Sequence, residues 1–218
     1  MGFDFTVLTL FWPRFLEGAA NTLWLSSVSA FFGTILGVGV AALRLAHIPL
    51  GQYLARGYVE VIRGTPIVVQ IFIIYYALPE YGVKMNAVSA GILSLTLYMS
   101  AYAAEIVRAG IMSIPRGQIE AARAVGMSSM QIFRRITLPL MVPLVLPPFT
   151  NEFVNLIKWS SVLSVITVAE LTYVGNDIIF KTFSPIEALT VVALLYWLIN
   201  DLFVHLSHVL ERHVKRHY

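Results

Sequence analysis

Charged side chains are scarce in this sequence, so those inside apolar stretches are the ones able to do chemistry. Glu152, preceded by Asn151, stands 14 residues past Leu138 in an apolar run, about 20 Å along a helix at 1.5 Å per residue. At that depth a carboxylate faces a cavity or a partner. An ammonium group suits it, from a substrate amine or a cationic side chain; pairing with Lys158 or Arg63 is the structural alternative. Arg63 precedes Gly64-Thr65-Pro66 at the edge of another apolar run, with Gln70 and Phe72 following. Its guanidinium either snorkels to the membrane interface or pairs with an acid inside the bundle. Gly64, Thr65 and Pro66 break the helix locally, and broken helices expose backbone groups that bind polar solutes.

A second polar feature is a loop. Glu120-Ala121-Ala122-Arg123-Ala124-Val125-Gly126 continues through nine residues to Ile136-Thr137-Leu138-Pro139. The pattern predicts a helix over about 118–125, a turn at Gly126 and a second helix from about Ser129. Gly126 is suited to the positive φ that ends a helix. Ser128 with Gln131 three positions later has the spacing of a capping box.

The elements around these residues read as membrane spans. The chain has 218 residues, 58% apolar and 12% charged, about half the charged fraction of a soluble domain, and a mean hydropathy of +0.77. It has no cysteine, which excludes disulfides and thiolate metal sites. No signal peptide is expected, because Asp4 precedes any Lys or Arg and the first apolar run is too long for a signal core. Residues 1–17 read as an interfacial lead-in. Spans are expected at about 19–46, 58–79, 87–109, 138–157 and 186–210, with the polar loop at 111–137 and a basic tail at 212–218; a bilayer needs roughly 20 apolar residues per helix. Gly33, Gly37 and Ala41 recur every four residues, a stripe for close helix packing. Pro143, Pro147 and Pro148 interrupt the fourth span, and a short re-entrant or surface helix is expected around 169–179. Ten Lys and Arg residues lie on the side of the polar loop and three on the other. The positive-inside rule therefore places the N-terminus outside and the loop in the cytoplasm.

The whole spaced pattern of the loop resembles the cytoplasmic coupling loop of type I ABC importer permeases, where it docks in a cleft of the ATPase subunit. The resemblance gives that role to Glu120, Ala121, Ala122 and Gly126. Arg63-Gly64-Thr65-Pro66 with Gln70 and Phe72, Ser113-Ile114-Pro115-Arg116-Gly117-Gln118, and Asn151-Glu152 followed by Lys158, Ser160 and Ser161 resemble the polar amino acid permeases of the histidine, glutamine and arginine uptake type. Trp159 departs from that pattern, which more often has an acid or threonine before the serines. The likeness runs from about Gly18 to Glu211. It implies an all-α integral membrane protein with five transmembrane helices and a coupling-helix loop, in the bacterial cytoplasmic (inner) membrane. It further implies Glu152, Asn151, Arg63, Thr65 and Gln70 as substrate-binding candidates. The partners implied are two ABC ATPase subunits, a second permease subunit (identical or related), a periplasmic or surface-anchored amino acid-binding protein, and membrane lipids, but no nucleic acid. No cofactor is expected on this chain. It lacks a glycine-rich loop ending in Gly-Lys-Ser/Thr, so ATP and Mg would be used by the partner subunits.

A membrane-embedded enzyme and a non-transporting scaffold are the competing classes. The first requires a nucleophile with its base, or a metal cluster, within the spans, and only scattered serines are found there. His205 with His208 and His213 with His217 have helix-face spacing for a metal, yet they lie at the interface among basic residues. Asn200 and Asp201 read as hydrogen-bonding a neighbouring helix, and Asp177 with Lys181 as a surface pair.

Overall fold

Residues 5–215 are described by the computed structural model, with side chains from 6 to 212. The first residues of the lead-in, the end of the basic tail and the His213 and His217 side chains therefore lie outside the described residues. Among the described residues every regular element is helical. Helix α1 (Phe5–Leu45) is followed by α2 (Pro49–Gly64), α3 (Ile67–Phe72) and α4 (Ala87–Met112). Then come α5 (Arg116–Ala124), α6 (Ser129–Ile132), α7 (Leu138–Trp159), α8 (Leu171–Thr182) and α9 (Pro185–Lys215). Four helical stretches are long and apolar enough to cross a membrane: Thr6–Leu45, Ala87–Met112, Ser129–Ile166 and Pro185–Arg212. A fifth is obtained if the bent pair Pro49–Gly64 and Ile67–Tyr81 counts as one span.

The third and fifth expected spans fall on α4 and α9. The other three differ in instructive ways. From Phe5 onward the expected lead-in is simply the first turns of α1, since Pro13 falls within the helix and nothing before Leu45 stops it. The second span is bent by 107° between α2 and α3, because Pro66 cannot donate the backbone bond a continuous helix needs there. The fourth is longer than expected: α6 runs through a π turn at Phe133–Thr137 straight into α7. Pro143, Pro147 and Pro148 do not interrupt it. A second π turn, Ile73–Ala77, follows α3. Each π turn ends two residues before a proline, Pro79 or Pro139. Widening the turn there moves the carbonyl four residues back away from the proline ring, so the chain continues where a regular helix would clash. After α7 a 3-10 stretch, Ser160–Ile166, ends at Thr167 with φ 64°, and α8 occupies the place of the expected short helix.

Close approach of α1 to α4 sets the centre of the bundle. A Cβ added at Gly33 would stand 2.6 Å from the Met99 Cβ, and one at Gly37 would stand 2.6 Å from the Ala103 Cβ and 2.7 Å from the Ser100 carbonyl. Ala41 is fully buried on the same stripe. In lipid, where apolar burial between helices gains little, such contact packing holds helices together. Helices α3, α4 and α7 build the largest apolar core with Leu25 of α1, while α8 is clamped between the start of α1 and α9 through Phe15, Leu171 and Ile178. Helix α4 starts cleanly because the Asn86 side chain accepts the Ser89 N–H at 2.8 Å.

Gly37→Ala should destabilise the protein by about 1–3 kcal/mol, the usual cost of overpacking. Gly39→Ala, with nothing within 4 Å of the added carbon, should be neutral or stabilising by under about 1 kcal/mol. Thermal unfolding of both variants in the same detergent checks the contrast.

Candidate functional site

Facing stripes of α4 and α7 enclose a cavity of about 470 Å3. Tyr98 and Tyr102, four apart on α4, form one wall; Glu152, Asn155 and Trp159 form the other at helical spacing, with Lys158 and Ser161 at the rim. Tyr98 stacks near Tyr102 with ring centroids 4.6 Å apart and lies 6.1 Å from Trp159. Glu152 is 8% exposed; Tyr98 and Asn155 face its carboxyl, yet its Oε1 has no hydrogen-bond partner among the described residues. Among the described residues it has no ion pair within 4 Å, neither with Lys158 nor with Arg63. A buried carboxylate oxygen left open in this way is costly unless something else fills it. The wall therefore carries one carboxylate and one ammonium, which complement the two ends of a zwitterion, and aromatic faces that favour a cation.

The sequence candidates separate into two groups. Glu152 is in the cavity, whereas Asn151 is exposed and off its lining; Asn155, three residues after Glu152, takes the place expected for it. Thr65 and Gln70 lie at the bend between α2 and α3. Gln70 Nε2 donates to the Ile62 carbonyl at 2.7 Å, to the Thr65 carbonyl at 3.1 Å and to Thr65 Oγ1 at 2.9 Å. Thr65 Oγ1 in turn donates to the Val61 carbonyl at 2.8 Å. These bonds satisfy carbonyls that the end of α2 leaves free. Arg63 has its guanidinium 5.0 Å above the Tyr102 ring and 4.0 Å from Glu105. Glu105 also accepts from Arg44, and Arg108 donates to its other oxygen through Nη2 at 2.9 Å and Nε at 3.2 Å. Tyr98, Tyr102 and Asn155 were absent from the sequence candidates. Helical spacing from Glu152 identifies Asn155, and the four-residue spacing of two tyrosines marks the facing wall.

The polar loop folds as its local chemistry directs. Gly126 has φ 79°, and the Met127 N–H returns to the Ala122 carbonyl at 3.1 Å to close α5. Ser128 and Gln131 form the reciprocal capping box: the Ser128 N–H donates to Gln131 Oε1 at 2.8 Å, and the Gln131 N–H to Ser128 Oγ at 3.4 Å. Glu120, Ala121 and Gly126 face outward while Ala122 is buried. Val125 and Met130 are 78% and 64% exposed, which leaves an apolar surface on a rigid helix pair.

Three lesser candidates also have partners. His205 Nδ1 lies 3.5 Å from Asp201 Oδ2 on its own helix. Asn200 donates to the Tyr196 carbonyl at 2.8 Å, so the hydrogen bond expected to a neighbouring helix is made within α9. Asp177 takes both Lys181 at 2.8 Å and Arg14 at 2.6 Å; hydrogen bonding from Lys181, then Arg14, holds its carboxyl below the usual range.

Comparison with known proteins places this geometry in context. Residues 31–216 match the family described as binding-protein-dependent transport system inner membrane component. The chain is 38% identical over 207 residues to the nopaline transport system permease protein NocM of Agrobacterium fabrum, covering 90% of this chain and 86% of that one. It is 36% identical over 217 residues to the glutamine transport system permease protein GlnP of Escherichia coli, covering 99% of both. Its fold superimposes on the crystal structure of an amino acid ABC transporter with histidines at a TM-score of 0.93 and 35% identity, covering 98% of this chain and all of the other.

Gln70→Ala should cost about 1–3 kcal/mol, because it leaves acceptors at the bend without their donor. Hydrogen exchange of the 62–71 amides should speed up relative to those of α4.

Proposed function

Because the chain belongs to the family of binding-protein-dependent transport system inner membrane components, we propose that it is the permease subunit of an ATP-driven ABC importer for polar amino acids. The observation that carries the choice of substrate is the open Glu152 oxygen in a cavity that also presents Lys158. An α-ammonium group fits the first and an α-carboxylate the second. The relatives named as nopaline and glutamine permeases support the same substrate class. Asn151, Arg63, Thr65 and Gln70 act less directly: the first from outside the lining, the other three by shaping the bend beside it.

A single five-span chain encloses a pathway poorly, so a second permease subunit, identical or related, completes it. ATP and Mg are used by two separate ATPase subunits. A periplasmic or surface-anchored binding protein delivers the amino acid to the outer face. The N-terminus lies outside the bacterial inner membrane and the C-terminus inside, following the distribution of Lys and Arg. The helix pair containing Glu120, Ala121, Ala122 and Gly126 is the coupling element gripped by the ATPase. Its exposed apolar surface supports this role. So does the unbroken run from α6 through the π turn into α7, which lets a rotation of the pair reach the helix bearing Glu152.

Glu152→Gln in the reconstituted transporter should lower amino acid uptake and substrate-stimulated ATP hydrolysis together by at least about tenfold, the factor set by 1.4 kcal/mol. Unchanged transport would remove Glu152 from the pathway. Gly126→Pro or Glu120→Lys should leave the spans inserted but detach or uncouple the ATPase, read by copurification and by uptake per ATP hydrolysed; normal values for both variants would count against the coupling role.

A further inference from the structure

A second cavity, of about 460 Å3, continues the groove between α4 and α7. Its walls are Glu105, Ala109, Gly110 and Ser113 on α4 and Leu144 and Pro148 on α7. These residues extend the stripes that line the first cavity, Tyr98 and Tyr102 on one helix and Glu152 and Asn155 on the other. The two spaces are therefore stacked along one groove. The stretch from 102 to 105 of α4 and from 148 to 152 of α7 separates them.

Arg63 stands at that junction. Its guanidinium covers the Tyr102 ring of the first cavity at 5.0 Å and reaches Glu105 of the second at 4.0 Å. It also lines the second cavity itself. Of the three arginines around Glu105 it is the most loosely held: Arg44 hydrogen-bonds one oxygen directly and Arg108 takes the other at 2.9 Å. The Arg63 side chain is 44% exposed, against 13% for Arg44 and 30% for Arg108. Glu105 keeps two close guanidinium partners if Arg63 leaves, so releasing it strands no charge. The cluster has three cations for one carboxylate, an excess that attracts an anionic group.

We propose that Arg63 is the gate between the two cavities, and that an anionic group, such as the carboxylate end of a bound amino acid, moves it by competing with Glu105 for the guanidinium. This rests on the amino acid permease function proposed above. Closed, the guanidinium bridges Tyr102 and Glu105. Open, it pairs with the arriving carboxylate and frees the groove toward Ser113. Arg63 is thus a positioning residue of the pathway as well as a support of the bend.

The chain has no cysteine, so a single introduced thiol is the only one in it, and labelling is read on this chain after it is separated from its partners. Ser161→Cys lines the first cavity and Ser113→Cys the second. In inverted membrane vesicles carrying the assembled transporter, impermeant thiol reagents reach only the cytoplasmic face, and the Ser161→Cys rate is taken relative to Ser113→Cys. With Arg63 present, Ser161→Cys should react slowly, and an anionic reagent should outpace a cationic one of equal size by about tenfold, as a charge-lined cleft focuses ions of one sign. Arg63→Ala should raise the rate about tenfold, which corresponds to 1.4 kcal/mol of lost closure, and should remove most of the charge preference. Tyr102→Leu, which takes away the ring but no charge, should raise the rate and keep the preference. Arg63→Lys should restore the preference but close less tightly, lacking the planar face that stacks on tyrosine. Equal labelling in Arg63→Ala and its parent would overturn the gate, as would a faster rate with the charge preference intact. Labelling needs neither ATP nor uptake, so its failure is distinct from failure of the Glu152→Gln uptake experiment.

Discussion

A carboxylate taken out of water must be given partners, and three of the acidic side chains drawn into this bundle meet that constraint in three different ways. Glu170 is fully buried and fully used. It accepts the backbone N–H groups of Thr172 at 2.9 Å and Tyr173 at 2.7 Å and the Tyr196 hydroxyl at 2.7 Å, which fixes the start of α8 against α9. Glu105 is held by guanidinium groups from α1, α2 and its own helix, which ties the ends of three helices together. Glu152 alone keeps a buried oxygen without a partner. The first two carboxylates stabilise the fold because their interactions are complete. The third is incomplete where a cavity adjoins it, and this is what makes it a binding candidate rather than another brace.

Local chemistry made part of this legible in advance. The glycine turn, the capping box and the small-residue stripe on α1 depend on residues close in sequence or on one helix face, and each is found in the structure. The bend at Pro66 could be seen as a break, but not as a 107° turn, since its direction is set by Gln70 returning to the end of α2. The continuity of α6 and α7 was hidden for a related reason. Prolines suggest interruption, and whether a π turn absorbs one depends on how the preceding turn packs. Tyr98 and Tyr102 were missed because the facing partner of Glu152 depends on which stripe of α4 meets α7, and helical spacing alone does not reveal that pairing; Asn155, one turn from Glu152 on the same helix, was within reach of spacing alone.

Dense and loose packing divide the molecule accordingly. Along α1 and α4 the backbones approach so closely that an added methyl has nowhere to go, and this seam is suited to remain fixed. Between α4 and α7 the packing is uneven: a Cβ added at Gly110 would stand 2.2 Å from the Val145 Cγ1, yet the same pair of helices leaves two cavities and an unpartnered carboxylate oxygen. Interior polar groups left unsatisfied lower the local stability of the part of the seam that holds them, so rearrangement is easiest at the two cavities and not at the Gly110–Val145 contact.

That division bears on how work could reach the site. In the proposed transporter the outer helix pair is stiff by construction, with Gly126 and the capping box fixing the angle between its members. Helix α7 continues from it with no flexible link, and its inward stripe carries Glu152. A rotation applied to the pair would be delivered to the α7 wall of the groove, while the α1–α4 seam braces the opposite wall. Arg63 is fastened through Tyr102 and Glu105 to that braced wall. Displacement of α7 would therefore change the distance between Glu152 and the proposed gate.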